Sequence, residues 1–189
     1  MAMNGGDDAG EDGGGRADPP TETGAETGAE TGGQAAGVAG GEAAPVRVDA
    51  DLLRQVIDMQ PFTRWTGLEL IRAENGEVET RLVPRAEDMT QHHGFVHGGL
   101  IGFLADNAAA YAAATLVGDV LTAQYSINFV SPGIGDALVT RAKVIKAGRR
   151  QIAVEARVFA VREGEEKLVA TAQATILPAG AASLQPAAP

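Results

Sequence analysis

Between Gly98 and Gly118 Asp106 is the only charged side chain, and apolar residues occupy nearly every helical face: Leu100, Ile101, Phe103, Leu104, Ala108, Ala109, Tyr111, Ala112, Ala113 and Leu116. This pattern predicts a helix of about five turns that lies inside the protein rather than on its surface. Downstream the rhythm changes to period two. Leu121, Ala123, Tyr125, Ile127 and Phe129 alternate with Thr122, Gln124, Ser126 and Asn128, predicting a half-buried strand that Ser131-Pro132-Gly133 ends. Further strands are expected over 138–146, 151–161 and 167–177, separated by turns at Ala147-Gly148 and Glu163-Gly164-Glu165.

Upstream, Asp49 or Asp51 can cap a short helix running to Met59, with Gln60-Pro61 as its stop. Phe62, Trp65 and Leu68 then lead into a strand over 67–73. Asn75-Gly76 is a two-residue hairpin signal, 77–84 the returning strand, and 85–95 a polar loop. The order is helix, two strands, one long buried helix, then a four-stranded antiparallel meander. An α+β layer pair satisfies it, a curved antiparallel sheet wrapped around one central helix. Such a sheet has free edges, and the helix is apolar on more faces than one sheet covers. Pairing of two chains relieves both problems.

Composition divides the 189 residues. Residues 1–45 hold nine acids against Arg16 alone and contain three near-copies of Glu-Thr-Gly-Ala, beginning at Glu22, Glu26 and Glu30. Few large apolar groups offset the entropy of ordering there, so 1–45 is expected to be a disordered acidic tail, 46–178 the domain, and 179–189 a flexible end. The tail carries most of the net charge of −10. The nearly neutral domain gives no footing for nucleic acid. No cysteine is present, which removes disulfides and thiolate chemistry and fits a cytoplasmic location. No signal-peptide pattern opens the chain. A carboxylate and an amide at the middle of the long helix argue against membrane insertion.

All three histidines, His92, His93 and His97, fall within six residues, but Gly94, Gly98 and Gly99 break any helix that would align them on an ion. No metal and no cofactor are expected. Gly98 and Gly99 enter the buried helix, where first-turn amides lack partners and the dipole favours negative charge; they outline an oxyanion hole, or simply let the helix start pack tightly. Asp106 is a carboxylate that is costly there without a task. It lies eight residues on, roughly 12 Å along the axis. One helix cannot bring Gly98 and Asp106 to one reacting carbon; antiparallel helices from two chains can.

His97-Gly98-Gly99 followed by Leu104-Ala105-Asp106, with Ser131-Pro132-Gly133 and Lys146-Ala147-Gly148-Arg149, resembles the hotdog-fold acyl-CoA thioesterases of the phenylacetate-pathway branch over about residues 60–178. The resemblance implies a hotdog fold, a homodimer or dimer of dimers, and hydrolysis of an aryl- or medium-chain acyl-CoA without a cofactor. It assigns Gly98 to the thioester carbonyl and Asp106 to water activation or direct attack. It also assigns Thr122 to the water and His97 to the loop. Gln91 stands where many members have Asn. Lys146, Gly148, Arg149 and Arg150 fall at the CoA phosphates, with Gly99 and Phe129 as further substrate contacts. A hotdog hydratase or dehydratase, or a non-catalytic acyl-CoA-binding protein, are the competing readings.

Overall fold

The computed structural model describes residues 48–179. Both expected tails therefore lie essentially outside the described residues. Asp49 caps α1 (Ala50–Met59), its carboxylate accepting from the Leu52 amide at 2.8 Å. Pro61 does more than stop α1: it opens a second short helix, α2 (Pro61–Thr66), where a run into a strand was expected. β1 (Glu69–Glu74) and β2 (Glu77–Leu82) follow, joined by Asn75 and Gly76 at φ 47° and 82°, the paired left-handed residues of a tight hairpin. The expected loop over 85–95 contains one helical turn, α3 (Ala86–Met89). The long helix is α4 (Gly98–Val117). Then come β3 (Val120–Phe129), β4 (Ala137–Ala147), β5 (Ile152–Arg162) and β6 (Glu165–Pro178).

The six strands form one antiparallel sheet in the order β1-β2-β4-β5-β6-β3, with α4 against its inner face. The wrapped-helix hotdog arrangement is present, but the four-strand meander is not. Of its four strands only β4, β5 and β6 are sequential neighbours; β3 pairs with β6 at the far edge. A hairpin needs a tight turn, whereas residues 130–136 run across the sheet end, pinned by Val130 N–H to Val169 O (2.9 Å), Val96 N–H to Gly133 O (2.8 Å) and Asp136 N–H to Val161 O (2.7 Å). α4 is long and apolar enough to cross a membrane, yet 67% of that stretch is buried within the domain. At its C-terminal end Thr115 Oγ1 accepts the Gly76 amide at 2.8 Å and so ties the β1–β2 turn to the helix.

The outer face of the sheet is polar and ion-paired. Arg141 on β4 bonds Glu79 on β2 (2.8 Å) and both oxygens of Glu166 on β6 (2.7 Å each). The hydrogen bonds from Arg141 hold the Glu166 carboxyl below its ordinary range. A carboxyl depressed in the fold adds stability above its unfolded pKa and loses it as pH falls through the folded value. Glu166→Gln is therefore expected to melt below wild type at pH 7 and to converge with it in acid below about pH 4. Because the pair is largely exposed, the gap should narrow with added salt. Thermal unfolding across pH, at two salt concentrations, checks this.

Candidate active site at the two ends of the central helix

The loop entering α4 is closed by its own backbone. Gln91 N–H donates to Phe95 O (2.7 Å), Gly94 N–H to Gln91 O (2.8 Å) and His97 N–H to Met89 O (2.9 Å). These bonds fix His97 as the N-cap of α4, with its Nδ1 accepting from the Gly99 amide at 2.9 Å. The ring proton therefore sits on Nε2, as inferred from this bond. The two glycine amides are not equivalent. Gly99 N–H is taken by His97, while Gly98 N–H has no hydrogen-bond partner among the described residues. Gly98 also packs against β3: a Cβ there would lie in ordinary contact, 3.4 Å from the Phe129 ring. Packing at this residue thus leaves room for a side chain, and the amide is its distinguishing feature.

Asp106 lies two turns further along α4, half-buried. Its Oδ1 is fully enclosed and has no hydrogen-bond partner among the described residues. A buried carboxylate oxygen without a partner costs folding energy, which makes Asp106 a candidate for a chemical role. Tyr111 is packed nearby. Burial first, and the Asp106 charge second, push its hydroxyl up to about 12, so it stays protonated and donates to Gln60 Oε1 at 2.9 Å. Asp106 belongs to a stripe of α4 that its own sheet leaves partly open: Gly99, Phe103, Asp106 and Ala110, spaced four, three and four residues apart.

Strand β3 carries a correction that bears on the site. Simple alternation would place Thr122 opposite to Tyr125, Ile127 and Phe129. A bulge between Thr122 and Gln124 shifts the phase. Thr122 pairs with Ile176, Tyr125 with Ala174 and Phe129 with Ala170, all buried inner-face residues of β6, while Leu121 pairs with exposed Leu177. The extra residue, Ala123, thus turns Thr122 toward the helix side. Along that face Phe129 meets Gly98, and the Tyr125 hydroxyl stands 3.0 Å from where a Gly102 Cβ would be. Thr122 is the next inner-face residue toward the C-terminal half of α4.

The register also shows which site residues one protomer does not unite. Thr122, Ile176, Ile152 and Ala147 form one transverse row, next to the hairpin that bears Lys146, Gly148, Arg149 and Arg150. Phe129 lies seven residues along β3 from that row, about 23 Å for an extended chain. Thr122 and the basic hairpin therefore occupy one end of the sheet, and Gly98, Gly99, His97 and Phe129 the other. Lys146, Arg149 and Arg150 are exposed, with no ion-pair partner among the described residues. Gly148 turns tightly enough that its amide donates to Gln151 O at 2.9 Å. The Gln91 side chain is exposed on its turn, away from any hydrogen bond among the described residues.

Sequence alone explains Phe62, Trp65 and Phe103 equally as core or as lining of an aromatic or medium-chain acyl pocket, and does not place Phe62 and Trp65 on a helix. Phe62 and Trp65 project from α2, with Phe62 edge-on to Phe103 of α4 at 4.9 Å between ring centroids. With Met89, Leu100, Asp88, His97 and Gly99 they line an open cleft of about 380 Å³ beside the start of α4. The signal available was Pro61 followed by two aromatics three residues apart, too short a run to reveal a helix face.

Comparison with known proteins agrees with this architecture. The profile of a family described as the thioesterase superfamily matches residues 93–167, the span from the motif loop into β6. A thioesterase family protein from Silicibacter pomeroyi is similar in structure with a TM-score of 0.64 and 34% identity, covering 66% of this chain and 93% of that one. The phenylacetic acid degradation protein PaaI from Thermus thermophilus has a TM-score of 0.56 and 30% identity, over 64% of this chain and 100% of that one. A Saccharolobus solfataricus protein that bears an esterase name is 27% identical over 125 residues, 65% of this chain and 81% of that protein.

Proposed function

The chain belongs to the thioesterase superfamily, and from that premise we propose that it hydrolyses acyl-CoA thioesters at a site completed by a second copy of itself. The observation that carries the reading is the enclosed, unpartnered Oδ1 of Asp106 on the open stripe of α4. In the proposed reaction the Gly98 N–H of one protomer polarises the thioester carbonyl, helped by the positive end of the helix. Asp106 of the other protomer takes a proton from water, Thr122 orients that water, and the new C–O bond forms as the C–S bond breaks. The CoA sulfur leaves and receives the proton. Attack by Asp106 itself, followed by hydrolysis of the anhydride, uses the same groups.

Separation of the two residue groups within one protomer supports a shared site. Antiparallel apposition of two α4 helices sets each Gly98 end beside the partner's Asp106 stripe, Thr122 and basic hairpin. The free β3 edge, with Leu121, Tyr125 and Phe129 exposed, is the surface over which two copies meet in this reading, as a dimer or dimer of dimers. His97 holds the loop: its Nδ1 is occupied and its Nε2 bears the proton, so it is not set up as the base a hydratase needs. Gln91, Gly99 and Phe129 contribute shape around the carbonyl. The absence of cysteine fits a reducing compartment, and we place the activity in the cytoplasm.

Release of free thiol from a panel of acyl-CoA esters tests the reaction directly. Hydrolysis of at least one ester above the spontaneous rate is expected, and inertness of the folded protein toward all of them contradicts the reading. Lys146, Arg149 and Arg150 suit phosphate oxygens. Arg149→Ala with Arg150→Ala should raise KM for acyl-CoA about tenfold with little change in kcat, because contacts remote from the thioester hold ground and transition states alike. An acyl-pantetheine lacking the nucleotide should be indifferent to the change. Equal damage with both substrates would mean the arginines do not read phosphate.

A further inference from the structure

α2 turns its two hydroxyls inward and its two large aromatics outward. Thr63 and Thr66 are buried, with Thr63 Oγ1 donating to Gln60 Oε1 at 2.9 Å and Thr66 Oγ1 to Thr63 O at 2.6 Å. Phe62 and Trp65 are left 55% and 48% exposed, far more than rings of that size are when they serve only as core. Exposure is not looseness here. The Arg85 guanidinium lies 4.9 Å from the centre of the Trp65 ring, Arg85 Nη1 donates to Trp65 O at 3.1 Å, and Asp88 holds the same guanidinium at 3.0 and 3.2 Å. The indole is thus braced in place by a cation that is itself anchored.

The cleft beside this ring borders the proposed site. Its apolar lining is Phe62, Trp65, Met89 and Leu100, and it includes His97 and Gly99, the residues on either side of Gly98, whose amide has no partner among the described residues. Apolar walls beside a single unpaired amide donor are the arrangement that takes a chain ending in a carbonyl. We propose that the acyl chain of the substrate runs from the Gly98 amide into this cleft and stops against Trp65, which sets the longest straight chain accepted. The proposal rests on the thioester reading for its orientation. Among the described residues, the charged pair at this wall, Asp88 and Arg85, is engaged with itself, so the chain admitted is a neutral hydrocarbon one.

Two measurements on the full-length protein test this and separate it from the hydrolytic reading. Trp65 is the only tryptophan in the chain, so its fluorescence reports on this cleft alone. Alkyl-CoA thioethers, which cannot be hydrolysed, are expected to shift the emission to the blue as the alkyl group lengthens, until the chain reaches the ring; CoA itself should give no shift. In the kinetic arm, straight-chain esters from butanoyl- to hexadecanoyl-CoA are compared. Wild-type kcat/KM should rise about fourfold per methylene while the cleft fills, then fall. Trp65→Ala should move the maximum by at least two methylenes to longer chains, with Trp65→Phe in between.

An unchanged length profile in Trp65→Ala, or one lowered equally at every length, overturns the proposal. So does thioether binding, seen by calorimetry, with the same emission for CoA and for every alkyl-CoA. A blue shift without any hydrolysis would support the cleft and count against the catalytic reading. Hydrolysis without a length-dependent shift would do the opposite.

Discussion

Asp106→Asn is expected to lower kcat by about 10²–10⁴-fold, the range typical of losing a general base. The exchange keeps the volume of the side chain and removes only its charge and basicity. Asp106 Oδ1 has no hydrogen-bond partner among the described residues, so no described contact is sacrificed. Stability should therefore hold or rise, because an enclosed carboxylate gives up hydration that an amide needs less. KM should change little, since in the proposed reaction the carboxylate serves the bond-forming step rather than the holding of the ester. Initial rates and thermal unfolding, measured side by side, check both halves. A variant that keeps more than half of wild-type kcat removes Asp106 from the chemistry.

Gly98→Pro should cost about 10²–10³-fold in kcat, the loss seen when a single oxyanion donor is deleted. Proline is the informative substitution because Gly98 is the first residue of α4, where a missing N–H breaks no helical bond and a fixed φ is already suitable. The preceding residue tolerates it too: His97 is extended at φ −61° and ψ 134°, as residues before proline prefer. The position a Cβ would take is 3.4 Å from Phe129, ordinary contact. The fold is thus expected to survive, confirmed by circular dichroism and melting. Gly98→Ala keeps the amide and should retain most of the activity. If the proline variant works as well as the alanine variant, the Gly98 amide does not stabilise the oxyanion.

How far the residues announce this arrangement depends on the length of each pattern. α4 was legible because twenty residues carry one charge, and the β1–β2 turn because Asn-Gly leaves few alternatives. α2 was not, since six residues span fewer than two turns and its aromatics face outward. Strand order was hidden for another reason. Alternation says that β3 is a strand but not which edge it joins, and the crossing at 130–136 has no local signature. The bulge at Ala123 is likewise silent in the sequence, yet it decides which way Thr122 points. In the candidate site, residue types marked Asp106 and the glycines, and the resemblance set Gly98 apart from Gly99; the physical reason, that His97 takes the Gly99 amide, is visible only in the structure.

Mixing the two inactive variants tests the shared site most directly. Each Asp106→Asn homodimer and each Gly98→Pro homodimer should be inactive, because every site holds one lesion. After equal amounts are dissociated and allowed to re-pair, half of the dimers are mixed, and each mixed dimer has one site with both lesions and one with neither. Activity should return to about a quarter of wild type, in step with the heterodimer fraction seen by native mass spectrometry. Heterodimers that form in the expected proportion and recover no activity would mean that Gly98 and Asp106 serve the same site from one chain.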